Sequence, residues 1–98
     1  MNVREYPYDK STLLNAVYDV LERLSYPIQY ADSRAGVLRF ACGSATGEMD
    51  LTAVLRDGAE ATRVEIGGTE RELSGMLFDE ITSDLDRYYH PAARRGSL

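Results

Sequence analysis

Residues 28–66 read IQYADSRAGVLRFACGSATGEMDLTAVLRDGAEATRVEI, and the period of this stretch decides the fold. Apolar and polar residues alternate at every second position through most of it, the repeat of strands with one buried face, and turn-forming residues divide it. The pattern predicts four antiparallel strands, over Ile28 to Ala31, Val37 to Cys42, Met49 to Arg56 and Ala61 to Ile66. Asp32-Ser33-Arg34-Ala35-Gly36 supplies the first turn, with Gly36 suited to positive φ, and Gly43 to Gly47 the second loop. Asp57-Gly58 is a hairpin signal, because both residues tolerate the left-handed backbone of a two-residue turn. Gly67-Gly68 closes the run.

Successive strand side chains point to opposite faces. Ile28 and Tyr30, then Leu38, Phe40 and Cys42, then Met49, Leu51, Ala53 and Leu55, then Thr62, Val64 and Ile66 are therefore expected on the inner face. The other face takes Gln29, Arg39, Asp50, Thr52, Arg56, Arg63 and Glu65, with Val37 and Val54, and reads as mostly solvated.

The flanks have the helical period. Leu13, Val17, Val20, Leu21 and Leu24 recur at helical spacing opposite Asn15, Asp19, Glu22 and Arg23, which predicts a helix over roughly 10–25. Asp9 or Ser11 caps it and Pro27 stops it. Beyond the strands, Thr69 and Glu72 form a T-x-x-E capping box, followed by the stripe Leu73, Leu77, Ile81, Leu85 and Tyr88, flanked by Met76 and Phe78. Residues 2–6, ended by Pro7, suit a short first strand. The fold class is α+β in the order (β)-α-β-β-β-β-α, with two helices on one face of an antiparallel sheet. Residues 1–90 are expected to form one domain and 91–98 a flexible tail after the breaker Pro91.

The 98 residues suffice for one core, and 44% hydrophobic with 28% charged residues is an ordinary globular mixture. A net charge of −5 lacks the basic footprint that binding to nucleic acid requires. No run approaches the length of a membrane span. A single cysteine, Cys42, gives no intrachain disulfide and suits a reducing compartment. The N-terminus Met-Asn-Val-Arg-Glu-Tyr-Pro shows no apolar signal region, so the expected location is cytoplasmic, or periplasmic if a signal segment has been removed.

No catalytic constellation, metal set or cofactor motif emerges. His90 is the only histidine and stands where the second helix ends, favourably placed against the helix dipole. Cys42 falls on the inner face as a small core hydrophobe. The loop Gly43-Ser44-Ala45-Thr46-Gly47 resembles an anion cradle, but no lysine and no helix follow it, so it reads as a hairpin connection. Glu72, Asp79 and Asp86 share a hydrated face of the second helix. Asp84 stands apart: at 100° per residue it falls inside the apolar stripe, where an ionised carboxylate needs a partner or a path to water. An ion pair, a snorkelling position and a functional carboxylate all fit there. Tyr26 and Tyr30 near the strand from Ile28 to Ala31 and Tyr88 at the end of the stripe, with Asp84, are the candidate ligand-binding residues of a cleft between helices and sheet.

The run LNAVYDVLERLSYPIQYADSRAGVLRFA, residues 14–41, resembles the opening of small bacterial helix-grip-like domains, including those of the outer-membrane assembly lipoprotein BamC. In these a helix precedes a strand, an Asp-rich turn with glycine and a second strand. The resemblance covers about a third of the chain, implies topology and transfers no site residue. Such relatives carry a lipoprotein signal and an acylated cysteine, which this N-terminus does not show. The expected function is a non-enzymatic module that self-associates or docks a protein through a sheet edge or its helical surface. The competing expectation is a small apolar ligand held between helices and sheet.

Overall fold

The computed structural model describes residues 2–89. His90 and the tail 91–98 lie outside the described residues. Asp9 opens the first helix: its backbone is extended, and its carboxylate accepts from the Thr12 backbone N–H and the Thr12 hydroxyl. Helix α1 runs Lys10–Arg23. It ends in a Schellman turn, with the Ser25 N–H bonded to the Glu22 carbonyl and the Tyr26 N–H to that of Leu21. Ser25 holds φ 60° there, in the position usually given to glycine.

Strands β1 (Asn2–Tyr6), β2 (Ile28–Asp32), β3 (Val37–Cys42), β4 (Ala45–Arg56) and β5 (Ala59–Gly67) form one antiparallel sheet in the order β1-β5-β4-β3-β2. Helix α2 (Arg71–Tyr88) follows. The α+β class, the predicted order of elements and the short first strand all stand, and β1 takes the edge beside β5. Among the described residues no helix is long and apolar enough to cross a membrane.

One layer of side chains joins helices and sheet. From α1 come Leu13, Ala16, Val17, Val20 and Leu21, from α2 Leu77, Phe78, Ile81 and Leu85, and from the sheet Leu38, Phe40, Met49, Leu51, Val64 and Ile66. Each large apolar side chain withdrawn from water contributes about 1.5–3 kcal/mol, so this layer carries the fold. Arg4 ties β1 to α2, with its guanidinium 4.9 Å from the centre of the Phe78 ring and 3.5 Å from the Asp79 carboxylate.

Several expectations are corrected. The second loop shrinks to a two-residue turn, Gly43-Ser44, and Ala45–Glu48 already belong to β4. Gly43 has φ +67° while Ser44 does not share it, the signature of a type II′ hairpin, and no anion cradle remains. Gly47 lies opposite Phe40, whose ring occupies the space a Cβ would need. The capping box does not form: α2 starts at Arg71 behind Glu70, so Glu72 stands too early in the helix to reciprocate, and the Thr69 hydroxyl pairs with that of Ser74.

A β-bulge at Gln29 shifts the register between Ile28 and Tyr30, so Tyr30 pairs with Arg39 and moves to the outer face. Ile28 keeps the inner register opposite Phe40 but is exposed at the edge. Ala53 and Leu55 keep it too, yet both are exposed because the end of β4 runs past the helices. Tyr88 is exposed on α2 and leaves the apolar stripe.

Candidate functional site

Asp84 is where the predicted polar intrusion into the core becomes a structure. The helical period carries it to the face that also buries Leu77, Ile81 and Leu85, and its side chain is 1% exposed. Arg23, at the end of α1, answers it: Nη1 donates to Asp84 Oδ1 at 3.1 Å, and Nη2 donates to Glu80 Oε1 at 3.1 Å. One guanidinium thus bridges two carboxylates, which holds its own pKa above the usual range, through Glu80 first and Asp84 second. Because the fork is split, Asp84 Oδ2 is left buried without a hydrogen-bond partner. A buried carboxylate oxygen in that state carries a desolvation cost that a donor would relieve.

Beside this pair lies an open cleft of about 480 Å³, lined by Asp19, Arg23, Asp84, Tyr88 and Tyr89. The volume falls in the range of small-molecule sites. The Tyr89 hydroxyl donates to Asp19 Oδ2 at 3.2 Å. Burial, then the Asp19 charge, pushes the Tyr89 phenol up. Of the four residues predicted to share a cleft, Asp84 and Tyr88 do so. Tyr26 instead stacks on Phe40, with ring centres 6.4 Å apart, and Tyr30 lies under the Arg39 guanidinium on the outer sheet face. The cleft opens between the two helices, not between helices and sheet. Asp19, Arg23 and Tyr89 escaped the sequence reading as site residues. Helical spacing had placed Asp19 and Arg23 on the solvent side of α1, and only knowledge of how the helices meet brings them to Asp84.

A second feature lies along the sheet. β3 pairs with β4 only as far as Asp50, and β1 pairs with β5 only from Thr62 to Ile66. β4 and β5 nevertheless pair out to Arg56 and Ala59, so a two-stranded ribbon continues past its neighbours. The Leu51 N–H points toward β3, where the Gly36 carbonyl accepts it. Alternation then turns the N–H groups of Ala53 and Leu55 to the same flank, which has no neighbouring strand at that level. Leu55 is 68% exposed on this ribbon.

The other edges are better protected. β2 is short, bulged and preceded by Pro27, and β1 is short, carries Arg4 and Glu5 and is followed by Pro7. Short length, bulges, charges and prolines are the ordinary defences of an edge strand. Neither the known protein families nor the curated protein sequences give a match to this chain.

Proposed function

We propose that this domain is a non-enzymatic self-association module, pairing with a second copy of itself through the open flank of β4. The observation that carries this reading is the unprotected segment Thr52–Arg56, extended, unpaired on one side and presenting Leu55 to solvent. Unpaired strand groups template another strand, and the two-fold arrangement is the simplest closed one. In an antiparallel pairing centred on Val54, Ala53 and Leu55 of the two copies exchange backbone hydrogen bonds. Val54 then faces Val54 and Thr52 faces Arg56, with no like charges opposed. The Asp57-Gly58 turn of each copy reaches the level of Leu51 in the other. There Gly36 ends the open flank, and Lys10, whose ammonium donates to the Arg34 carbonyl, lies against it.

The competing idea of an apolar ligand between helices and sheet has less support. Leu13, Phe40, Met49, Leu77 and Ile81, all fully buried, occupy that layer among the described residues, and Tyr26 and Tyr30 stand apart from Asp84. Substituting Ala53→Pro separates pairing from folding, because the Ala53 N–H faces the open flank and contributes nothing to the β4–β5 ladder. Sedimentation at high micromolar concentration is expected to show a dimer for the natural chain and a monomer for the Ala53→Pro variant, with unchanged far-UV circular dichroism. A monomeric natural chain overturns the reading.

A further inference from the structure

We infer that the chain's own C-terminal segment, residues 90–98, lies over the inner face of the β4–β5 ribbon and covers Leu55. That face is a gap in the helix cover. Ala53 and Leu55 point to the side that carries both helices, yet both are exposed, Leu55 to 68%, because the helices stop short of them. Backbone N–H groups on the open flank lie in the plane of the sheet and these side chains stand roughly perpendicular to it, so covering Leu55 is independent of strand pairing.

A chain of contacts brings the end of α2 to this face. The Tyr8 hydroxyl donates to the Leu85 carbonyl in the last turn of α2 at 3.5 Å, and the Thr62 hydroxyl donates to the Tyr8 carbonyl at 2.8 Å. Thr62 stands opposite Ala53 in the ladder. The chain leaves the helix at Tyr89 in extended backbone, with φ −131° and ψ 164°, and Pro91 keeps it from resuming the helix. It starts on the helix-bearing side, so it rounds no sheet edge to reach Leu55. Nine extended residues span about 30 Å, and Leu55 lies two strand residues, about 7 Å, beyond Ala53.

The chemistry of the segment matches that of the face. It reads HPAARRGSL, with Ala92, Ala93 and Leu98 apolar, Arg94 and Arg95 cationic and no acidic side chain. Glu60 stands beside Leu55 in the ladder, and Asp57 stands at the turn. Both are exposed, and neither makes an ion pair among the described residues. The neighbouring cations are engaged elsewhere. Arg56 pairs with Glu5 at 2.8 Å, Lys10 donates to the Arg34 carbonyl at 3.0 Å, and Arg63 lies beside Glu65 on the outer face. An arginine pair carried on small apolar residues therefore complements an exposed leucine flanked by two unpaired carboxylates.

A nitroxide on Ser97→Cys, in a Cys42→Ser background of the full isotope-labelled chain, tests the placement. The Leu55 methyl and Glu60 amide signals are expected to broaden. Reversing the charges with Arg94→Glu/Arg95→Glu is expected to weaken that broadening roughly threefold, the scale of two exposed ion pairs, and adding Glu60→Arg to restore it. All three substitutions are in the tail or at an exposed position, and unchanged far-UV circular dichroism confirms folding. A mixture of labelled chain without nitroxide and unlabelled chain with it separates a chain's own tail from that of a second copy, and little broadening is expected there. Broadening unaffected by the charge reversal, no recovery with Glu60→Arg, or broadening as strong in the mixture as within one chain overturns the inference.

Discussion

Ser25 shows how much one residue's backbone decides. The Schellman turn after α1 needs a left-handed residue, and a side chain there suffers the clash of Cβ with the following carbonyl oxygen. Ser25→Gly is therefore expected to raise stability by roughly 0.5–1 kcal/mol in urea denaturation, after the larger entropy of glycine in the unfolded chain is counted. A loss of stability contradicts that account of the turn. Asp84 was legible at the same scale, since its place within the apolar stripe follows from arithmetic on the helix. Its partner was not: Arg23 lies 61 residues earlier, and its pairing depends on the packing of two helices that no local pattern records.

Among the elements, helix α2 contains Gly75, where a Cβ would meet nothing within 4 Å. Glycine in a helix interior costs about 1 kcal/mol relative to alanine, so Gly75→Ala is expected to stabilise the domain by roughly 0.5–1 kcal/mol, measured as a higher urea midpoint at unchanged slope. Strand periods, the Asp57-Gly58 hairpin and the amphipathic face of α1 could be read from the residues because each depends on neighbours in sequence. The bulge at Gln29 could not. A one-residue insertion leaves the composition of β2 intact and reveals itself only in the partner strand, yet it carries Tyr30 across the sheet. The exposure of Leu55 was hidden for a related reason. Alternation assigns it a face but does not say where the covering helix stops.

At the scale of the whole molecule, the helix-covered face and its far edge are tied by tyrosine hydroxyls. Tyr6 on β1 donates to the Phe78 carbonyl of α2 at 3.2 Å, and burial pushes its phenol above the ordinary range, against the opposing pull of Thr82 and Arg4. Burial moves Tyr8 and Tyr89 the same way, with help from Asp86 and Asp19 respectively. The folded chain therefore holds these protons more tightly than the unfolded chain does. Stability is fully kept below the unfolded tyrosine value of about 10 and falls as pH rises from there through the raised folded values. Tyr6→Phe is expected to make that alkaline decline shallower in denaturation measured across pH 9 to 12, roughly the window in which tyrosines titrate. A decline just as steep would remove Tyr6 from the account.

The assembly belongs to the same scale, because the ribbon end of β4 has meaning only beside something that completes it. Pairing centred on Val54 brings the two Val54 Cα atoms to about 4.5 Å, the spacing of a non-hydrogen-bonded antiparallel pair and within reach of a disulfide. Thr52 meets Arg56 in that register, so two Thr52 positions are separated by about four residues of strand, roughly 13 Å, beyond such reach. The most direct measurement is oxidative trapping in a Cys42→Ser background, comparing Val54→Cys with Thr52→Cys on a non-reducing gel. A covalent dimer is expected at position 54 and none at 52. Equal trapping at the two positions, or none at 54, contradicts it.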